Sequence, residues 1–122
     1  MKDSVLREKS FEFAFRILNL YKYLQNEHKE FVLSKQILRC GTSIGANIEE
    51  AKHGQSTLDF VHKLSIAQKE AAETSYWIKL LAKGEYLNEK LSSSLLSDCE
   101  ELQKMLTASI KASKSKLGNS GV

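Results

Sequence analysis

The segment Glu50-Ala-Lys-His53 places a carboxylate and an imidazole on one face of a helix. In carboxylate-bridged dinuclear metal bundles, two Glu-x-x-His pairs and a Glu from each of two further helices hold the metal ions. This chain has a single such pair, because neither His28 nor His62 follows a Glu at that spacing. Glu70 and Glu73 add carboxylates but not the second imidazole. We therefore expect no metal site, no cofactor and no enzymatic activity.

Other chemistry is equally sparse. Cys40 and Cys99 are far apart and lie among apolar residues at helical spacing, where a thiol behaves as a small hydrophobic side chain. No glycine-rich phosphate loop follows a strand, because no strand is predicted. The first residues lack the apolar core of a signal peptide, and no run approaches the roughly 18 apolar residues of a membrane span. We expect a cytoplasmic protein with reduced thiols and no membrane partner.

Helices are predicted to carry nearly all of these residues. The 122 residues suffice for one domain, 1–122, with 42% hydrophobic and 27% charged residues and no proline to interrupt long elements. Apolar residues recur at helical spacing in four segments. The predicted helices span about 4–26, 34–53, 57–83 and 88–113, before a flexible basic tail at about 114–122. Four long helices joined by short turns predict an all-α antiparallel up-down-up-down four-helix bundle.

The apolar stripe of each predicted helix defines the expected core. The stripes are Phe11, Ala14, Leu18, Tyr21 and Leu24, widened by Phe15, Ile17 and Leu20; then Ile37, Cys40, Ile44, Ile48 and Ala51; then Leu58, Val61, Leu64, Ala67, Ala71, Thr74, Ile78 and Leu81; and finally Leu91, Leu95, Cys99, Leu102, Leu106 and Ile110. Ser34, Ser56 and Asn88 are predicted to cap helix N-termini. Gly54 and Gly84 are predicted to end the second and third helices, Gly54 as a left-handed stop.

Two glycines, Gly41 and Gly45, lie four positions apart inside the second predicted helix. A glycine in a helix interior costs roughly 1 kcal/mol relative to alanine, so a compensating role is expected. On one helix face they form a notch that a neighbouring backbone can approach closely, or that a large side chain, Trp77 or a phenylalanine of the first helix, can fill. The sequence predicts a close-packing role for this notch, either within one chain or between chains.

Polar residues also fall within or beside the apolar stripes. Asn47 lies on the core-facing side of the second helix with Glu50 at its edge, and Glu70 and Glu73 flank the stripe of the third. Partly buried amide and carboxylate groups are normally hydrogen-bonded. We predict a polar layer that fixes the pairing of these helices, with a ligand or partner site as the alternative.

Three segments carry a family resemblance: residues 34–39 (SKQILR), 42–51 (TSIGANIEEA) and 59–77 (DFVHKLSIAQKEAAETSYW). They resemble the bacterial four-helix-bundle proteins named after open reading frames within intervening sequences of 23S ribosomal RNA genes. The resemblance implies a cytoplasmic, ring-like homopentamer, in which the Gly41/Gly45 face would serve a contact between subunits equally well. Relatives include the accessory protein of diversity-generating retroelements, which works with a reverse transcriptase and binds nucleic acid. The family name records a gene location and does not supply a biochemical activity.

The distribution of charge suggests a possible partner. The net charge is +3, and no acidic residue follows Gln103. Candidate nucleic-acid-binding residues are Lys104, Lys111, Lys114 and Lys116, with Arg7, Lys9 and Arg16 as a second patch. The sequence favours a non-enzymatic oligomer that binds RNA through these basic surfaces. The alternative is a protein-interaction scaffold without nucleic-acid binding, in which the lysines merely keep the surface charged.

Overall fold

The computed structural model describes residues 2–120 and the side chains of residues 4–118. Its four helices are α1 (Lys2–His28), α2 (Leu33–Lys52), α3 (Thr57–Lys83) and α4 (Glu89–Ser120), and residues 2–120 contain no strand. α1 and α3 each contact both α2 and α4, so the helices enclose one apolar core. The all-α, four-helix fold predicted from the apolar spacing is confirmed.

The cores of α2, α3 and α4 follow the predicted stripes. Every predicted stripe residue of α2 is buried, as are those of α3 from Val61 to Leu81. In α4 the centre of the stripe, from Leu95 to Leu106, is buried, while its two ends are half-buried. Leu58 is the exception, because it lies in the first turn of α3 with 66% of its surface exposed.

The predicted stripe of α1 is confirmed only in part. Ile17, Leu20 and Leu24 are buried as predicted, whereas Phe11 and Phe15 are 72% and 56% exposed. Ser10 and Phe13 are buried instead, so the first half of the buried face is rotated by about one position, or about 100° around the helix. α1 carries apolar residues on two faces, and it buries the face that fits against α2.

The start of α2 differs from the prediction that Ser34 is its N-cap. The Glu30 carboxylate instead accepts hydrogen bonds from the backbone N–H groups of Val32 (3.2 Å), Leu33 (3.0 Å) and Ser34 (2.7 Å). The Ser34 hydroxyl is buried and donates to the Glu30 carbonyl at 2.9 Å. Desolvation acts to raise the pKa of Glu30, but the three backbone donors outweigh it and the pKa is lowered. The caps predicted at Ser56 and Asn88 are confirmed, since their side-chain oxygens accept from backbone N–H groups at 3.1 and 2.8 Å.

The predicted left-handed stop at Gly54 is also wrong, since no glycine among residues 2–120 has a positive φ. Gly54 serves close packing instead, because a Cβ there would lie 3.1 Å from the Ala51 carbonyl oxygen and 3.3 Å from Asp59 Cβ. α3 does end at Gly84, its C-cap, as predicted, and the left-handed residue is the following Glu85, with φ 68°. The N–H of the following residue then bonds to a carbonyl of the last turn of α3, as expected for a Schellman ending.

α4 is longer than predicted. The sequence suggested a helix end near residue 113 and a flexible tail over 114–122, but the helix continues through Ser120. Lysine, alanine and leucine are good helix formers, and no proline interrupts this segment. Residues 121 and 122 of the predicted tail lie outside the described residues.

Candidate functional site

The Glu50/His53 pair is not assembled into a metal centre. Glu50 Oε1 accepts a hydrogen bond from Lys63 Nζ at 2.8 Å, which ties α2 to α3. The His53 side chain is 71% exposed, and its Nε2 lies 3.7 Å from Glu49 Oε2 on the same helix. Nowhere in the described part of the chain do three or more His, Cys, Asp or Glu side chains form a group able to hold a metal ion.

The most connected polar group is centred on Arg39, which the sequence reasoning missed. Its guanidinium donates from α2 to Glu70 Oε1 at 3.2 Å and to Glu73 Oε2 at 2.6 Å, both on α3. The Trp77 indole N–H donates to the same Glu73 oxygen at 3.1 Å. These hydrogen bonds, that from Arg39 first, lower the pKa of Glu73, and the bond with Glu73 raises the pKa of Arg39. The group therefore holds α2 against α3 and keeps Glu73 ionised.

The predicted polar layer is thus divided into separate contacts. Glu70 and Glu73 share Arg39, whereas Glu50 pairs with Lys63. Asn47 Nδ2 donates to the Ser43 carbonyl of its own helix at 2.8 Å. Each group has a partner within the chain. Glu50, Glu70 and Glu73 join two helices, as the interpretation as helix pairing requires, whereas Asn47 bonds within its own helix.

The glycine notch receives α1 of the same chain. A Cβ at Gly41 would lie 2.8 Å from both Cγ1 and Cγ2 of Ile17, closer than real Cβ contacts allow. A Cβ at Gly45 would lie 3.2 Å from the Ser10 carbonyl oxygen, a backbone atom. The notch therefore accepts Ile17 and the backbone of α1, rather than Trp77 or a phenylalanine. Because these glycines face α1, close packing within one chain accounts for both.

The two core thiols lack the properties of a reactive cysteine. Cys99 Sγ donates to the Ala71 carbonyl at 3.3 Å, and Cys40 Sγ donates to the Ile37 carbonyl at 3.7 Å. Burial raises the pKa of both thiols, that of Cys99 to about 12. Since the thiolate is the nucleophile, neither cysteine is a candidate catalytic group.

The second basic patch predicted from sequence is neutralised by ion pairs along both edges of α1. Arg7 donates two bonds of 3.0 Å to Glu49 on α2. The acceptors on α4 are Glu101, bound by Lys9 at 3.1 Å, and Asp98, bound by Arg16 at 2.7 Å. These pairs fix α1 between its neighbours and leave little unbalanced positive charge.

The lysines of α4 have a different environment. Lys104, Lys111 and Lys114 are exposed and form no ion pair with the described residues. Lys116 is exposed five positions beyond Lys111 and does have an interaction partner. Because this half of α4 is helical, its lysines occupy fixed positions around a rigid element. This is the candidate nucleic-acid interface.

Comparison with known proteins places the chain in a family. No curated protein matches it. Residues 2–108 match the family described as 23S rRNA-intervening sequence protein, so Lys111, Lys114 and Lys116 lie beyond the matched part. A solved structure of a protein with unknown function, from the S23 ribosomal protein family of Bacteroides thetaiotaomicron, is 58% identical with a TM-score of 0.90. The alignment covers 91% of this chain and 99% of that one. The chain belongs to the 23S rRNA-intervening sequence protein family.

Proposed function

We propose that this protein is a non-enzymatic cytoplasmic oligomer that binds RNA through the exposed lysines of α4. The observation that carries the proposal is the set Lys104, Lys111 and Lys114, which project from a continuous helix without a carboxylate partner among the described residues. No acidic residue follows Gln103 to reduce their field. Unpaired ammonium groups on a rigid element are suited to phosphate oxygens, which supply most of the affinity in non-specific RNA binding.

The spacing of these lysines fits a run of phosphates. Lys104 and Lys111 are seven positions apart, hence on the same face and about 10 Å apart along the axis. Lys114 lies one turn further on. None of the three has an aromatic residue beside it in sequence on which a base could stack. We therefore expect binding to the RNA backbone with little preference for sequence.

Self-association would increase the number of lysine–phosphate contacts beyond the few that one chain can make. The proposed assembly is a homopentamer of antiparallel up-down-up-down bundles, in which five copies bring together at least 15 net positive charges (5 × 3). The short connections at residues 29–32, 53–56 and 84–88 support the antiparallel order. Phe11, Phe15 and Leu18 form an exposed apolar surface, the α1 patch, and their position along one face of the helix supports the assembly.

The test is binding of a labelled single-stranded RNA, followed by fluorescence anisotropy at about 50 and 200 mM salt. Three phosphate contacts predict a loss of about 20-fold in affinity across that range. The triple variant Lys104→Gln, Lys111→Gln, Lys114→Gln should lose binding and this salt dependence while the oligomer mass stays unchanged.

A matched control removes the same charge elsewhere. Lys22, Lys35 and Lys69 are exposed on the other three helices, so their triple replacement by glutamine also takes the net charge from +3 to 0 (3 − 3). Equal loss of RNA binding in both triple variants would show that only total charge matters. Absence of binding to the unmodified protein at about 50 mM salt would refute the proposal altogether.

The second candidate function is a protein-interaction scaffold, which is favoured by the exposed apolar side chains of the α1 patch. Phe15→Glu should convert the oligomer to monomer in light scattering, since it buries a charge in the proposed contact. Leu58→Glu is the control, because Leu58 is also an exposed apolar residue but lies on α3. An oligomer that ignores RNA but dissociates in the Phe15→Glu variant would favour the scaffold. An oligomer that survives this substitution would exclude the α1 patch as the contact between subunits.

A further inference from the structure

An open cleft of about 880 Å³ lies between the beginning of α1, the end of α2, the beginning of α3 and the second half of α4. Its floor is apolar, and Leu6, Ile48 and Leu64 are almost completely buried there. Phe60 and Met105 complete the apolar lining. The volume falls within the range of roughly 300–1,000 Å³ that is usual for small-molecule sites.

The charge at the rim of the cleft has one sign. Lys52 and Lys104 line it, and none of the described residues that line it is an aspartate or a glutamate. Lys116 also borders the cleft but already has an interaction partner. Arg7 also contributes to the lining, but its guanidinium is already held by Glu49. The first turn of α3 borders the cleft at Ser56 and Thr57, which adds the positive end of the helix dipole. An apolar floor below a cationic rim is complementary to an anion with an apolar body.

We propose that this cleft binds an aliphatic carboxylate of the fatty-acid type, with its chain on the apolar floor and its head group between the lysines. The composition of the floor selects an aliphatic chain over a nucleobase. Phe60 is the only aromatic residue among the described residues of the lining, whereas base recognition relies on stacking against aromatic faces. The rim selects a carboxylate over a neutral or cationic head group, because no carboxylate among the described lining residues offsets Lys52 and Lys104.

This site is separable from the proposed RNA interface. Lys104 borders both, but Lys111 and Lys114 do not line the cleft, and Lys52 lies on α2 and does not belong to the RNA-binding set. Substitution of Lys111 should therefore weaken RNA binding and leave the carboxylate site intact. Substitution of Lys52 should have the opposite effect, so the two proposals can fail independently.

Isothermal titration of the full chain with decanoate, below its micelle concentration, tests the site. Three control ligands separate these contributions. Decanol has the alkyl chain without a charge, decyltrimethylammonium has the alkyl chain with the opposite charge, and acetate has the charge without the alkyl chain. The expected result is one decanoate bound per chain, with all three probes at least tenfold weaker. No binding of decanoate, or equal binding of decyltrimethylammonium, would overturn the assignment.

Two pairs of variants locate the site. Lys104→Ala should weaken decanoate binding about fivefold, as expected for loss of one exposed charge contact, whereas Lys111→Ala should leave it unchanged. Ala108→Trp should abolish binding by filling the cleft, while Ala72→Trp, exposed on α3 outside it, should not. Circular dichroism confirms that each variant is folded. Decanoate binding that survives Ala108→Trp in a folded protein would place the ligand elsewhere and overturn the proposal.

Discussion

Replacing Gly41 by alanine is expected to destabilise the protein, although alanine is the better helix former. The new Cβ would lie 2.8 Å from Cγ1 and Cγ2 of Ile17, whose side chain is fully buried. Overpacking of this kind costs about 2 kcal/mol, and the gain in helix propensity returns about 1 kcal/mol. The net loss of about 1 kcal/mol corresponds to a fall in Tm of about 4 °C for a domain of this size.

A double-mutant cycle makes the steric argument refutable. Ile17→Val keeps both γ carbons, so Gly41→Ala should remain destabilising in that background. Ile17→Ala removes both, so the same substitution should become stabilising by about 1 kcal/mol. The assay is urea unfolding followed by circular dichroism. Gly118→Ala is the control, since nothing lies within 4 Å of its Cβ position and no loss is expected. Equal destabilisation by Gly41→Ala in all three backgrounds would refute the reasoning.

Three further predictions concern helix ends and core thiols. Glu30→Ala should cost about 1–2 kcal/mol at pH 7 in urea unfolding. Because the pKa of Glu30 is lowered, its stabilisation is present above the ordinary value of 4.5 and lost as the pH falls through the folded-state pKa, so the difference from the unmodified protein should shrink by pH 3. Glu85→Gly should raise stability by about 1 kcal/mol in the same assay, because the left-handed φ of 68° suits glycine. Cys40 and Cys99 should resist a thiol reagent at pH 8 and react after denaturation, since burial raises the pKa of both thiols; labelling of the native protein would contradict this.

Sequence periodicity located the buried face where each helix has a single apolar side. α2 is clearly apolar on one side and polar on the other, and the stripes of α2 and α3 were predicted correctly except at Leu58. α1 has two apolar faces, one around Phe13 and one around Phe11. Hydrophobicity alone cannot predict which of these two faces is buried. Shape decides it, because Ile17 and the Ser10 backbone fit the Gly41/Gly45 notch of α2.

The polar contacts were less predictable because they depend on register between helices. Glu70 and Glu73 were recognised as candidates, but Arg39, which joins them, lies more than thirty positions earlier in the chain. The pairing of Arg16 with Asp98 likewise spans 82 positions. In contrast, the caps at Ser56 and Asn88 involve neighbours three positions away, and local sequence was sufficient to predict them. At α2 the same local rule chose Ser34 because it did not consider the longer side chain of Glu30, which reaches forward to the first N–H groups of the helix.

The position of Trp77 has a practical consequence for spectroscopy. It is the single tryptophan of the chain, and its indole N–H donates to the Glu73 oxygen that Arg39 also holds. An ionised carboxylate beside the indole ring sets the local electric field that the excited state experiences. The wavelength of tryptophan emission should therefore report on the α2–α3 junction. Separation of these two helices would be visible in the unmodified protein, without an attached dye, even if the rest of the helical content were retained.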